Sequence, residues 1–297
     1  MISIILTSFN RKNLLKKSLE SILNQSYRDI EVIIIDNNST DGTEEELSTY
    51  RDPRINFFNV GSVNNLGKSR NIGISKAKGD LIAFCDDDDI WYPDKLEFQL
   101  KYVHITGVVC TDVDYVDKDN VIIKKSIFPD KISDLIFSKA TLLYQNLIMV
   151  TSVLIDKEIL LKAGQFDSLR YCEDYDLWMR VTDFTKIIFL NKISMAVMVH
   201  ANSLSRINQN AIDMRYIIIK HQLKYIKSPD KELKIASKAG LVKSRYQLFR
   251  LLISNKRYFD SLKELFRLIP FISDINVAKF FIKVLFFKEN FLLKKLN

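Results

Sequence analysis

Along the first hundred residues, runs of branched apolar side chains alternate with amphipathic stretches. Residues 3–7 read as a buried strand, and a turn at Ser8-Phe9-Asn10-Arg11 leads into a helix with Leu14, Leu15, Leu19, Ile22 and Leu23 on one face. EVIII at 31–35 is a second strand run, and 55–60 a third. A helix is expected from Asn65 to Ala77, and an apolar run at 81–85 stops at Asp86-Asp87-Asp88-Asp89. Pro93 stands where a first helical turn begins, ahead of a helix over 95–103. Strands separated by helices of this length predict βαβ units and a mostly parallel sheet. Ligands of such sheets gather beyond the carboxyl ends of the strands. The polar sets at 7–11, 36–41 and 86–89 all fall on that edge.

Beyond residue 105 the pattern loosens. A strand is expected at 150–155, a short helix at 158–163, a turn at Gly164-Gln165-Phe166-Asp167, and a helix opening at Glu173-Asp174. Acids in that first turn offset the helix dipole. A last strand at 197–199 ends at His200, and from Asn208 onward the chain reads as wholly helical.

Composition adds little to the fold and something to the partners. Of 297 residues 47% are hydrophobic and 27% charged, with 8 Gly and 5 Pro, which excludes disordered and collagen-like chains. Cys85, Cys110 and Cys172 lie far apart with no C-x-x-C pair, so neither a disulfide framework nor a zinc site is expected. The opening run carries no basic leader, and no stretch has the apolar length of a membrane span. A cytoplasmic protein is the expectation. The net charge of +8 is segregated: residues 206–297 carry +13 and residues 1–205 carry −5. The two parts are therefore expected to meet different partners.

The aspartate run is the first chemical centre. Acids before a helix often cap it, and Asp89 is a candidate for that role. Yet four adjacent carboxylates at a strand end repel by about 1 kcal/mol per pair even in water. A divalent cation removes that penalty. One or two carboxylates completed by substrate phosphates describe a Mg²⁺ or Mn²⁺ site rather than zinc.

SIILTSFNR, IIIDNNSTDGT, NNLGKSRNIGI, GDLIAFCDDDDIWYPDKL, the GQFD turn, EDYDLWMR and VMVHANSLS occur in this order. Together they resemble a family 2 glycosyltransferase of the GT-A fold, over about residues 1–205. The resemblance implies an α/β nucleotide-diphospho-sugar transferase fold with a mostly parallel central sheet. It also implies inverting, metal-dependent transfer from a nucleotide-diphosphate sugar. The expected organisation is a catalytic domain at 1–205, with a nucleotide half (1–105) and an acceptor half (106–205), followed by a basic helical extension at 206–297.

Carried over by residue, the resemblance sets Thr7, Phe9, Arg11, Asp36, Asn37, Asn65, Arg70, Asp86 and Asp87 at the nucleotide sugar. Asn37 stands where many similar sequences have a second acid, which leaves uridine against thymidine open. Arg70 would hold phosphate or base, or else form a surface ion pair. Asp88 would ligate Mn²⁺ or Mg²⁺, with Asp86 beside it, and His200 would complete the shell or touch the diphosphate. Asp174 is the expected base that activates the acceptor hydroxyl, with Glu173 contacting the acceptor or positioning the loop. Thr151 and Ser152 are expected to border the acceptor, Trp91 to wall the site or fill core, and Asp176 to be structural.

Near the carboxyl end, Phe280, Phe281, Phe286, Phe287 and Phe291 interleave with Lys279, Lys283, Lys288, Lys294 and Lys295. Basic and bulky apolar residues on helices predict peripheral contact with the inner face of the cell membrane, or else a helical bundle that buries those Phe against the catalytic domain with the Lys solvated. Nucleic acid is not an expected partner, since no recognition motif is present. The expected acceptor is a polyprenyl-diphosphate-linked glycan of O-antigen or capsule assembly. Two other classes remain in view. A nucleotidyltransferase would carry an early glycine-rich phosphate loop, which residues 7–11 lack. A non-catalytic nucleotide-sugar binder would bind without turnover. A hydride-transferring Rossmann enzyme is excluded, because no G-x-G-x-x-G occurs.

Overall fold

The computed structural model describes residues 1–126, 135–199 and 208–271, and the chain divides into two compact units, Met1–Ser203 and Leu204–Asn297. The first unit opens β1 (Ile2–Ser8), α1 (Lys12–Leu23), β2 (Ile30–Asp36), α2 (Thr43–Ser48), β3 (Ile55–Asn59), α3 (Leu66–Lys76) and β4 (Leu81–Asp86). It continues through β5 (Ile90–Trp91), α4 (Lys95–Thr106), β6 (Val108–Val116), β7 (Ile122–Lys124), β8 (Leu135–Phe137) and α5 (Lys139–Tyr144). It closes with β9 (Leu154–Asp156), α6 (Lys157–Lys162), α7 (Glu173–Val181) and β10 (Ile187–Met198).

These strands form one sheet in the order β3-β2-β1-β4-β9-β6-β10-β5, with β7 on β6 and β8 on β10. The pairings make β3, β2, β1, β4, β6 and β10 run one way, while short β5, β7, β8 and β9 run against them. The mostly parallel sheet is as expected. Every residue of β1 and of β2 is buried, because helices cover both faces. Ile4, Leu6, Val32 and Ile34 pack with Leu15, Leu19 and Ile22 of α1 and Leu96 of α4. On the opposite face α3 lies so close that a Cβ on Gly73 would sit 2.5 Å from Cγ2 of Ile5. Only glycine lets that helix backbone rest on the strand.

Three expectations change. The strand expected at 150–155 is a buried 3₁₀ turn, Val150–Ser152, followed by β9. The strand expected at 197–199 is the end of the much longer β10. β6 was not anticipated as a strand, although it is central to the sheet.

In the second unit α8 (Asn208–Tyr225), α9 (Lys231–Ser254) and α10 (Tyr258–Phe266) pack around Ile212, Ile219, Leu241, Leu248 and Leu252. Asp230 caps α9 by accepting from the backbone N–H groups of Glu232 and Leu233. Among the described residues no helix is long and apolar enough to cross a membrane. His200 and the Phe- and Lys-rich segment over 277–296 lie outside the described residues.

Candidate active site

The carboxyl ends of β1, β2 and β4 bring the expected polar sets together. The register sets Thr7 beside Ile35 on one side and Asp86 on the other. The backbone N–H of Asn37 donates to the Ser8 carbonyl at 3.0 Å, and its side-chain amide donates to the same oxygen at 3.2 Å. Asn37 Oδ1 accepts from Ser69 Oγ of α3 at 2.6 Å. Asp36 is buried and turned inward, accepting from the Ser39 hydroxyl and backbone N–H. Beside these residues opens a cleft of about 260 Å³ lined by Phe9, Asn37, Val63, Leu66 and Ser69. Phe9, more than half exposed, presents an aromatic face there.

The four aspartates divide by side. The side chains of Asp86 and Asp88 are 33% and 16% exposed, that of Asp87 only 7%, and Asp89 is buried. Asp87 accepts from Ser8 Oγ at 2.9 Å and from Arg11 Nη1 at 2.9 Å; the same Nη1 reaches Asp88 at 2.8 Å. Burial and the adjacent Asp88 raise the Asp87 carboxyl to about 6, against the pull of Arg11 and Ser8. Asp89 is no helix cap. It lies beneath the site, held by the Thr151 hydroxyl and the Met198 backbone, with its pKa pushed up by burial and by Asp86 and Asp88. Asp94 occupies the N-cap of α4.

Thr151 and Ser152 are likewise buried, so they do not border an open acceptor space. Trp91 is core, with the buried Lys95 ammonium 4.0 Å from its ring centroid. Burial lowers the Lys95 pKa to about 7.

Asp86 and Asp88, the least buried of the four, suit a hard divalent cation. Among the described residues no group of three or more His, Cys, Asp or Glu forms a cage. A cation here would take one or two carboxylate oxygens and draw the rest of its shell from a bound diphosphate, as Mg²⁺ and Mn²⁺ do.

Arg70 and Asn65 have partners other than those expected. Arg70 is 2% exposed, and its guanidinium forks between Asp86 Oδ1 (Nη2, 2.8 Å) and Glu173 Oε1 (Nη1, 2.7 Å). It also lies 5.3 Å from the centroid of the Phe166 ring. Asn65 caps α3 through Lys68 N–H and donates to the carbonyls of Ser168 and Leu169 at 3.1 Å each. Asn71, which the sequence did not single out, exchanges two bonds with the Phe166 backbone, donating at 2.8 Å and accepting at 3.1 Å. A Cβ on Gly67 would lie 2.8 Å from the Asp167 carbonyl oxygen. The N-x-G-x-x-R-N spacing thus straps α3 to the 165–169 loop.

That loop delivers the second pair of carboxylates. Cys172, at φ 57° and ψ 28°, adopts a left-handed conformation uncommon for a side-chain-bearing residue and turns the chain into α7. Glu173 is buried against Arg70, and Asp174, partly exposed, accepts from Tyr175 N–H at 2.7 Å. Burial and the neighbouring Glu173 raise the Asp174 carboxyl to about 7, in part offset by Arg70. Asp176 accepts from Arg180 Nε at 2.9 Å, a structural pair as expected.

Comparison with known proteins identifies the family and the fold. The model of glycosyl transferase family 2 matches residues 3–157. An uncharacterized glycosyltransferase of Rickettsia typhi is 28% identical over 211 residues, covering 67% of this chain and 64% of its own length. The Escherichia coli UDP-Glc:α-D-GlcNAc-diphosphoundecaprenol β-1,3-glucosyltransferase WfaP is 31% identical over 207 residues, covering 69% of this chain and 80% of that one. Among solved structures, S. aureus TarS 1–349 in complex with UDP superimposes with a TM-score of 0.63 at 18% identity, covering 84% of this chain and 72% of that one. The chain belongs to glycosyl transferase family 2. Its first unit has the GT-A fold.

Proposed function

We propose that the protein is an inverting, metal-dependent hexosyltransferase. It moves a hexose or N-acetylhexosamine from a UDP-sugar to a hydroxyl of a polyprenyl-diphosphate-linked glycan in bacterial surface polysaccharide synthesis. The observation that carries this reading is the continuous chain Asp86–Arg70–Glu173, which ties the cation-suited end of β4 to the residue adjoining Asp174. The acceptor class is supported by the printed substrate of the E. coli relative.

Phe9 and Asn37 take the nucleobase, the amide of Asn37 serving as both donor and acceptor. Arg11, paired with Asp87 and Asp88, is the cation beside the carboxylates assigned to the metal and would bind diphosphate oxygens. Asp88, with Asp86, would hold Mn²⁺ or Mg²⁺, and the cation would supply charge neutralisation for the departing diphosphate. Asp174 takes the proton from the acceptor hydroxyl as that oxygen attacks the anomeric carbon from the face opposite the diphosphate. A single displacement inverts the configuration and needs no covalent sugar–enzyme intermediate. A carboxyl titrating near 7 is well matched to that proton transfer at neutral pH. Peripheral membrane contact is supported by α10, where Phe259, Leu262 and Phe266 are exposed along one face.

Calorimetric binding of UDP, dTDP and GDP, each with Mn²⁺ and with EDTA, tests the donor. Transfer from UDP-glucose and UDP-N-acetylglucosamine to a GlcNAc-diphosphate-lipid tests the reaction. Metal-dependent binding of UDP, and transfer falling at least about a hundredfold in Asp88→Ala, are expected. Absence of metal-dependent binding for all three nucleotides would overturn the reading.

A further inference from the structure

The second unit contains an open cleft of about 340 Å³ between α8, α9 and α10, lined by none of the candidate active-site residues. Its floor is an ion-pair relay. Glu264, 1% exposed, accepts from Arg245 Nη1 through one carboxylate oxygen and from Arg267 Nη1 through the other. Lys220 of α8 completes the cationic side. Three cations face one carboxylate, so the cleft keeps a surplus of two positive charges after internal pairing. Arg245 is 9% exposed, and its Nε–H, wholly buried, has no hydrogen-bond partner. A donor left in that state costs free energy unless a ligand or water takes it up.

The other lining is apolar: Tyr216, Ile219 and Leu223 of α8. Immediately around α10 from Arg267, at 100° per residue, comes the exposed face of Phe259, Leu262 and Phe266. Lys263 lies between that face and the cleft, its ammonium 4.5 Å from the Phe259 ring centroid. A cationic cleft whose mouth adjoins an exposed apolar face suits an amphiphile: phosphate oxygens on the guanidinium and ammonium groups, hydrocarbon along the helix.

We infer that the cleft lined by Lys220, Arg245 and Arg267 is a binding site for the phosphate of a lipid-borne phosphate or diphosphate. Free inorganic phosphate offers nothing to Tyr216, Ile219 and Leu223, which is why the lipid-borne form is favoured. The same chemistry is found on an isoprenoid diphosphate and on an anionic phospholipid headgroup.

The test uses the full chain in EDTA, without donor. Farnesyl diphosphate, inorganic pyrophosphate and phosphatidylglycerol vesicles serve as probes, read by calorimetry and by flotation. Farnesyl diphosphate is expected to bind at least tenfold more tightly than pyrophosphate. Lys220→Ala with Arg267→Gln is expected to weaken it at least tenfold, whereas Lys234→Ala with Lys238→Ala, which removes the same charge elsewhere on exposed positions of α9, is expected to leave it unchanged. Lys220→Glu alone, which spares both Glu264 ion pairs, gives the same loss. Loss of vesicle flotation in the cleft variants with farnesyl diphosphate binding retained would assign the site to a phospholipid headgroup. Loss of farnesyl diphosphate binding with flotation retained would assign it to the isoprenoid. Both outcomes uphold a lipid-borne phosphate. Equal affinity for pyrophosphate and farnesyl diphosphate, or equal losses in the two variant pairs, overturns it. Transfer to a soluble acceptor, measured in parallel on the cleft variants, is expected to be unchanged, so failure here is distinct from failure of the transferase reading.

Discussion

Replacing Arg70 by Met is the most informative perturbation of the first unit. The guanidinium is buried and makes two charge-assisted bonds, to Asp86 and Glu173. Each such bond contributes about 1.5–3 kcal/mol. Breaking a buried ion pair from one side costs about 3–5 kcal/mol; here Glu173 is left desolvated, while Asp86, a third exposed, regains water. For a unit of this size, that corresponds to a fall in Tm on the order of 10 °C. The electrostatic consequence is separate. Burial and Glu173 raise the Asp174 pKa, and Arg70 opposes them. Without Arg70 the carboxyl climbs further above about 7, so the fraction available as base at neutral pH falls. The rising limb of the pH profile of kcat/KM should therefore move alkaline by about one unit or more, one unit being about 1.4 kcal/mol. Arg70→Lys keeps the charge but not the fork, and should show a smaller shift and an intermediate Tm. Thermal unfolding with the pH–rate profile on the same samples measures both. An Arg70→Met variant with wild-type Tm and an unmoved profile would refute the assignment of Arg70 as the strut between the two carboxylate sets.

Asp174→Asn should lower kcat at least about a hundredfold while leaving UDP affinity intact. Because the folded pKa of Asp174 lies above its unfolded value, its stabilising proton is present at low pH and lost as pH rises through about 7; the Tm of Asp174→Asn relative to wild type should thus be higher at pH 8 than at pH 5. Lys95 has the opposite sign: its folded pKa of about 7 is depressed, so wild-type stability gains from about pH 7 towards pH 10, and Lys95→Met should be more favourable relative to wild type at pH 6 than at pH 9 in the same assay. Gly67→Ala puts a methyl 2.8 Å from the Asp167 carbonyl oxygen and must push the 165–169 loop away, so kcat should fall at least about tenfold with the dissociation constant of UDP unchanged; equal kcat would show that the loop tolerates displacement.

The carboxyl-edge chemistry was legible in the sequence because each polar set runs directly off a buried strand. SIILTS, EVIIID and LIAFCD announce where the backbone ends its ladder, and the parallel arrangement does the rest. β6 was not legible. Its Thr111-Asp112-Val113-Asp114 stretch alternates acids with apolar residues as a solvated strand or loop does, yet both acids are buried. Asp112 accepts from Ser126 Oγ and Val113 N–H, and Asp114 accepts from Tyr92 Oη at 2.9 Å. Ser126 and Tyr92 lie 14 and 22 residues away, so no local pattern could declare them. The same holds for Asp89, whose position in an acidic run suggested a cap while tertiary packing drew it beneath the site.

The motif around α3 carries the more general lesson. Asn65 and Arg70 are polar residues at the cap and in the body of a short helix beside a nucleotide-sized cleft, so local reading assigns them to the ligand and passes over Asn71. Beyond Lys68 and Asp86, the partners of these three side chains lie 95 to 104 residues away, in the segment that presents Glu173 and Asp174. Holding a carboxylate base against an incoming hydroxyl requires positional precision that a loop alone does not supply. A left-handed residue at Cys172 and a carboxyl raised to about 7 both oppose local relaxation, and each needs surrounding bonds to persist. The strap from α3 supplies them: backbone carbonyls of 166, 168 and 169 are fixed by two asparagines, and Glu173 by Arg70. The strap therefore joins the carboxylates at the end of β4 to those at the start of α7 through a single buried side chain, Arg70.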